Sequence, residues 1–265
     1  MFDYHIHTKS SADSTAEPSD IVRAAADAGL SEICLTNHAD INHHVPDDYF
    51  PFDLDEMAAD YRAASKAGAA LGVAVKNGIE IGVDKETLAE YESLLDGRSY
   101  DFIICSQHFI DGVDPYEQSY FSGKSQREAY EAYLAAALST LSAFNGYSVV
   151  GHIGYAAKYC RTRPAIMDMD GYGDYIEEIL KVAVSRGKGI EVNTSGIKNT
   201  GEPMAAYSVV KRFIELGGEI VTMGSDAHEP SRVGDRFAET AERLRAVGLR
   251  YVCTYDRMKP VFHSL

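Results

Sequence analysis

Two histidines one position apart open the chain, in FDYHIHTKSSAD at residues 2–13. Side chains two apart on a strand share a face, so His5 and His7 can share one divalent ion. Phe2, Tyr4 and Ile6 alternate with Asp3, His5 and His7, the period of a strand with one apolar and one polar face. Similar side chains recur where apolar runs end: His38 in EICLTNH, Glu80 in VKNGIEIG, His108 in DFIICSQH, His152 in YSVVGH, and Asp226 with His228 in EIVTMGSDAH. Six of the nine histidines fall at such positions, too many for scattered structural residues. Imidazole and carboxylate together suit Zn²⁺, Mn²⁺ or Fe²⁺. The two oxygens of Glu80 could bridge two ions, and a metal pair about 3.5–4 Å apart is an arrangement that cleaves phosphate esters.

Residues so far apart can meet only if the fold brings strand ends together. Short strand patterns are expected at Phe2–His7, Glu32–Thr36, Ala74–Ile81, Phe102–Cys105, Ser148–Val150, Gly189–Asn193, Glu219–Met223 and Arg250–Thr254. Helical patterns lie between them: Pro18–Ala28, Leu54–Leu71, Lys85–Leu95, Gln126–Phe144, Asp174–Arg186, Ala205–Leu216 and Gly234–Val247, several stopped by glycine. About seven strand–helix units imply a parallel sheet. A closed barrel in a single domain over residues 1–265 fits best, since such a barrel takes about 250 residues. An open doubly wound sheet is the other arrangement. Long irregular stretches at 38–56, 106–124 and 155–173 follow strands, where barrels keep their active sites.

Composition narrows the partners. The formal charge is −15 without a basic run, which argues against an extended nucleic-acid surface. No apolar stretch approaches the roughly 18 residues of a membrane span, and the N-terminus has no signal-peptide pattern. Cys34, Cys105, Cys160 and Cys253 are far apart and read as free thiols of a soluble, cytoplasmic protein. His43 and His44, in a loop with Pro46, Asp47 and Asp48, read as solvated or as part of a lid, and His263 as incidental. Asp3 could orient His5 or His7 or simply start a strand. On spacing alone, Asp13 is a turn residue.

The pieces DYHIHTKSSAD, TNH, GIEIG, SQHF, GHI and GSDAH, in this order, resemble the polymerase and histidinol phosphatase (PHP) family of metal-dependent phosphoesterases. EVNTSG at 191–196 and GSDAHEPSRVG resemble its histidinol-phosphatase branch. The resemblance implies a distorted (β/α)₇ barrel, similar to a TIM barrel, with three metal ions. His5, His7, Glu80 and Asp226 would hold the first; Glu80, His108 and His152 the second; Asp13, His38 and His228 the third. It thus reverses the reading of Asp13, a position often His in relatives, where Asp would alter affinity or metal preference. It also implies hydrolysis of a phosphate monoester, L-histidinol phosphate to L-histidinol and phosphate in histidine biosynthesis, by a metal-activated hydroxide.

Glu80, Asp226 and His228 are the expected catalytic residues. In GHIGYAAKYCRTR, Gly154 and Ala157 replace an Asp and a basic residue frequent in the branch. Lys158 and Arg161, then Arg232, are the expected phosphate contacts, with Arg163 nearby; Tyr155, Tyr159 and Tyr172 could pack on the organic part. A nuclease or other small phosphoesterase, an amidohydrolase-like enzyme and a non-catalytic metal-binding protein are the competing readings.

Overall fold

A computed structural model describes residues 1–46, 50–162 and 165–265; Asp47, Asp48 and Arg163 lie outside these. In chain order the elements are β1 (Phe2–Ile6), α1 (Pro18–Asp27), β2 (Glu32–Leu35), β3 (His38–Ala39), α2 (Leu54–Leu71), β4 (Ala74–Gly82), α3 (Leu88–Leu95), β5 (Phe102–Ser106) and α4 (Gln126–Ala143). They continue with β6 (Val149–Val150), α5 (Tyr155–Tyr159), α6 (Met169–Ser185), β7 (Gly189–Asn193), α7 (Ile197–Thr200), α8 (Tyr207–Glu215), β8 (Val221–Gly224), α9 (Phe237–Ala246), β9 (Tyr251–Asp256) and β10 (Lys259–Ser264).

The parallel order is β1-β2-β4-β5-β6-β7-β8, with β3 continuing the β2 side against β4. The two edges meet: the Asp226 N–H donates to the His5 carbonyl at 2.9 Å and the His7 N–H to the Ala227 carbonyl at 2.9 Å. These bonds and the isolated Ile6–Ala227 bridge close the sheet without a full ladder. The result is a distorted (β/α)₇ barrel.

Alternation along each strand sorts the side chains. Ile33, Leu35, Ile79, Ile81, Ile103 and Ile190 turn outward and pack under the helices, each contributing about 1.5–3 kcal/mol by burial. The helices start and stop on local signals. Pro18 begins α1, the Asp53 carboxylate caps α2, and Ser125 and Glu128 form the capping box of α4.

Three expectations change. The Arg250–Thr254 pattern belongs to β9, which pairs antiparallel with β10 outside the barrel. Cys253 and Tyr255 of β9 join Tyr4, Cys34, Phe102, Ile104 and Val149 in a second apolar cluster that plugs the barrel floor. The stretch 155–173 contains α5, and α6 begins at Met169 rather than near Asp174, capped by Asp168. Finally, β1 is not a simple alternating strand. Asp3 pairs with Ile33 and Ile6 with Leu35, so Tyr4 and His5 together oppose Cys34. That bulge sends Tyr4 into the floor cluster and frees His5 to sit above it. All four cysteines are free and buried. No described helix is long and apolar enough to cross a membrane.

Candidate metal centre

The nine expected ligands converge at the C-terminal ends of the barrel strands, with Glu80 at their centre. Its Oε1 lies 2.8 Å from His152 Nε2 and 3.2 Å from His108 Nε2. Its Oε2 lies 3.0 Å from His5 Nε2, 3.5 Å from His7 Nε2 and 3.1 Å from His38 Nδ1. One carboxylate therefore serves two imidazole sets with different oxygens. Asp226 Oδ1 completes the first set, 3.6 Å from His5 Nε2 and 3.4 Å from His7 Nε2. At the rim, Asp13 Oδ2 is 2.9 Å from His228 Nε2 and 3.7 Å from His38 Nε2, and the His228 ring stacks on His7 with centroids 4.1 Å apart.

This donor set fits divalent cations. A tetrahedral ion with bonds of about 2.1 Å holds its donors roughly 3.4 Å apart, close to the separations around Glu80. His7 Nε2, His38 Nδ1 and His152 Nδ1 are buried and make no hydrogen bond among the described residues. Two of those nitrogens face carboxylate oxygens, and lone pairs so placed repel unless a proton or a metal ion lies between them. Four groups of three donors, His7/His38/His228, His5/His7/Glu80, His38/Asp40/His108 and Glu80/His108/His152, each lie within 4.8 Å of one another. The site is one for divalent metal.

The rings are aimed by carboxylates that sequence reading passed over. Glu191 Oε1 is 2.5 Å from His5 Nδ1, and its Oε2 accepts the His152 backbone N–H at 2.7 Å. Asp40 Oδ2 lies 2.8 Å from His108 Nδ1. Each fixes the tautomer and tilt of a ring whose other nitrogen faces the cage. The Glu191 contact needs Gly224 opposite, where a β-carbon would collide with Glu191 Oε1 and His5 Cβ.

Asp3, one expected partner of the histidine rings, does something else. Its carboxylate accepts from Ser225 Oγ at 2.5 Å and from the Ser225 and Gly234 N–H groups, both at 2.9 Å, tying β1 to the segment that carries Asp226. The bulge is the reason, since it breaks the face that Asp3 would have shared with His5. Asp226 itself sits at φ 55°, a strained conformation for a non-glycine residue, pinned by its N–H bond to His5.

Burial and charge oppose each other across the cage. Burial drives the His5 pKa down, but Glu191, Glu80 and Asp226 outweigh it and hold it well above 6.5. His108 is raised the same way by Asp40 and Glu80. His7 goes the other way: burial, then His228 and His38, push it well below 6.5. Burial would raise Glu80, yet His5, His38 and His108 hold it well below 4.5.

Metal uptake must therefore expel protons from His5 and His108. Affinity should rise with pH across the neutral range, with proton release that calorimetry detects as a dependence on buffer ionisation enthalpy. In the metal-free protein the raised histidines stabilise the fold below about 6.5, a contribution lost as pH climbs through their folded pKa values. The lowered Glu80 stabilises it above about 4.5, a contribution lost as pH falls. The metal-free melting temperature should peak between those values and decline toward alkaline pH. Pre-loaded metal should remove the alkaline decline. Uptake without proton release would contradict the assigned cage.

A cavity of about 490 Å³ opens above the cage, lined by Asp13, His38, His108 and His228 and, on its outer wall, by Asp114, Tyr155, Lys158 and Tyr159. Lys158 Nζ donates to Asp226 Oδ2 at 3.1 Å and to Ser195 Oγ at 3.0 Å. Arg161 is exposed, Arg232 pairs with Asp235 at 2.5 Å, and neither lines this cavity. Tyr172 packs on Tyr130, away from it. His43 and His44 are exposed and pair with Glu90 and Glu86. His263 hydrogen-bonds Thr254 at 2.8 Å within the β9–β10 hairpin. Gly154, where the branch often has Asp, has φ 116°, a conformation that lets α5 turn over the site directly after His152 and would strain an Asp.

Barrel and cage together define a metal-dependent enzyme architecture, and the family follows. A family model described as the PHP domain matches residues 3–195, and the chain belongs to this family. It is 30% identical over 258 residues to a Clostridium acetobutylicum protein named "Probable histidinol-phosphatase", covering 97% of this chain and 98% of that one. It is 28% identical to the histidinol-phosphatase of Lactococcus lactis, covering 97% of this chain and 95% of that one. The crystal structure of histidinol phosphate phosphatase from Lactococcus lactis, complexed with zinc, L-histidinol and phosphate, superposes with a TM-score of 0.90 at 28% identity. Coverage is 98% of both chains.

Proposed function

We propose that this chain hydrolyses L-histidinol phosphate to L-histidinol and phosphate, a step of histidine biosynthesis, at a site for three divalent ions of zinc, manganese or iron. The observation that carries the reading is the division of Glu80 between two imidazole sets at the base of an open cavity with a lysine on its wall. Relatives named for this reaction, aligned over nearly the whole chain, support it.

His5, His7, Glu80 and Asp226 would hold one ion, Glu80, His108 and His152 a second, and Asp13, His38 and His228 a third. Bound there, such ions neutralise phosphate charge and lower the pKa of water from 15.7 toward about 7. The chain's own residues do the rest. Glu80 fixes the spacing of the two inner sets. Asp226, held by Lys158, ties the first set to the cavity wall. Lys158 meets a phosphate oxygen from the wall, and its pKa is raised, burial opposing and Asp226 prevailing, so it stays charged. His228, partly exposed at the rim, would serve with Asp13 as a ligand of the third ion and so is no proton donor to the leaving oxygen. The apolar floor closes the barrel on the side opposite the cavity.

The test is kcat/KM of metal-loaded protein on histidinol phosphate, an aryl phosphate and a short oligonucleotide. Histidinol phosphate should lead by at least about 100-fold. Preference for the oligonucleotide would move the chain to a nuclease reading. No turnover of any of the three at full metal occupancy would make it a binding protein.

A further inference from the structure

The cavity wall carries a carboxylate that phosphate binding does not explain. Asp114 lines the cavity with Lys158 and His108, and a negative group there opposes a phosphate dianion. Its Oδ1 is engaged: it accepts the Tyr155 hydroxyl at 3.0 Å and the Tyr116 N–H at 2.8 Å. Its Oδ2 takes no hydrogen bond among the described residues. A local turn would need only the Tyr116 contact.

Tyr155 links this carboxylate to the cage. Its ring stacks on His152 with centroids 4.9 Å apart and lies 5.3 Å from His108. Asp114 therefore stands about one tyrosine ring away from the inner ligands, across the cavity wall from the cage. Tyr159, edge-on to Tyr155 at 5.1 Å, continues the same wall and gives it an aromatic surface.

We propose that Asp114 is a specificity residue, its free oxygen receiving a primary ammonium on the substrate so that the site favours amino-alcohol phosphates over esters without a cation. This rests on the phosphatase reading above and names the group that would distinguish the ester. A carboxylate with one oxygen pinned by Tyr155 and Tyr116 is pre-oriented for a cation, and a charge-assisted hydrogen bond in a half-buried wall is worth more than a neutral one.

The experiment compares kcat/KM for histidinol phosphate with that for its analogue lacking the amino group, 3-(imidazol-4-yl)propyl phosphate. Wild-type protein should favour the ammonium substrate by about 10- to 100-fold. In Asp114→Asn, and in Asp114→Ser should the first variant fail to fold, the ratio should fall toward one. A merely structural role would lower both values together and leave the ratio standing. A wild-type ratio near one, or a wild-type ratio kept in the variants, overturns the assignment. If wild-type protein with full metal content turns over neither ester, the phosphatase reading itself fails, a distinguishable result.

Discussion

Glu80→Gln should lower kcat/KM by about 10⁴-fold or more, the equivalent of about 5 kcal/mol of transition-state stabilisation. The carboxylate has two jobs that an amide cannot combine. Its Oε1 faces His108 and His152 while its Oε2 faces His5, His7 and His38. An amide keeps one oxygen and turns an NH₂ toward the other set, so one group of donors loses its anion and gains a repelling dipole. Metal content should fall with activity, by at least one ion per chain on elemental analysis. Glu80→Asp keeps the charge but shortens the arm, so it should retain metal better than Gln while still losing much of the rate. The variant should also change the metal-free protein, because Glu80 helps hold protons on His5 and His108. Without it both rings should release protons at lower pH, visible by NMR titration. Glu80→Gln with full metal content and near-normal rate would remove Glu80 from the centre of the site.

The residues of the cage were legible because parallel barrels place strand ends together, and strand ends are easy to find in sequence. His5, His7, His38, Glu80, His108, His152, Asp226 and His228 all follow or close an apolar run. Asp13 lies on a loop with no periodicity, and only the family resemblance brought it in; it meets His228 at 2.9 Å. The carboxylates behind the rings were harder. Glu191 sits inside GIEVN, a strand buried at every position. A carboxylate there is costly unless it meets a partner, and that was the available signal. Asp40 sits two residues past His38 in a polar stretch and offered none.

The fold was misread where local rules broke. The β9–β10 hairpin turns on Arg257 and Met258, both at positive φ (48° and 63°), where a sequence reader expects Asn-Gly. The β1 bulge left the apolar alternation of Phe2, Tyr4 and Ile6 intact in sequence while changing which way the side chains face. The basic residues were least legible, because Lys, Arg and spacing alone do not say which charge is already paired. Arg232 pairs with Asp235 off the cavity, whereas Lys158, though paired with Asp226, stands at the cavity wall.

Lys158→Met should lower kcat/KM by about 10- to 100-fold, mainly through KM, with metal content preserved. A contact to the phosphate made in both ground and transition states raises KM, and a charged hydrogen bond in a poorly solvated wall is worth about 1.5–3 kcal/mol. The metal readout separates this from a structural role. Lys158 Nζ lies 3.1 Å from Asp226 Oδ2 and so competes with cations for that carboxylate. Removing it frees Asp226, and affinity for the ion shared with His5 and His7 should hold or rise. Loss of metal in the variant would instead mean that the lysine shapes the cage and does not bind substrate. Lys158→Arg should restore the charge yet recover less than about tenfold, because the planar guanidinium cannot occupy the compact position between Asp226 and Ser195. The Lys158 contribution should also be flat from pH 6 to 9, since Asp226 keeps the ammonium charged throughout. A pH-dependent gap between wild type and Lys158→Met in that range would show that something other than a permanent cation is lost.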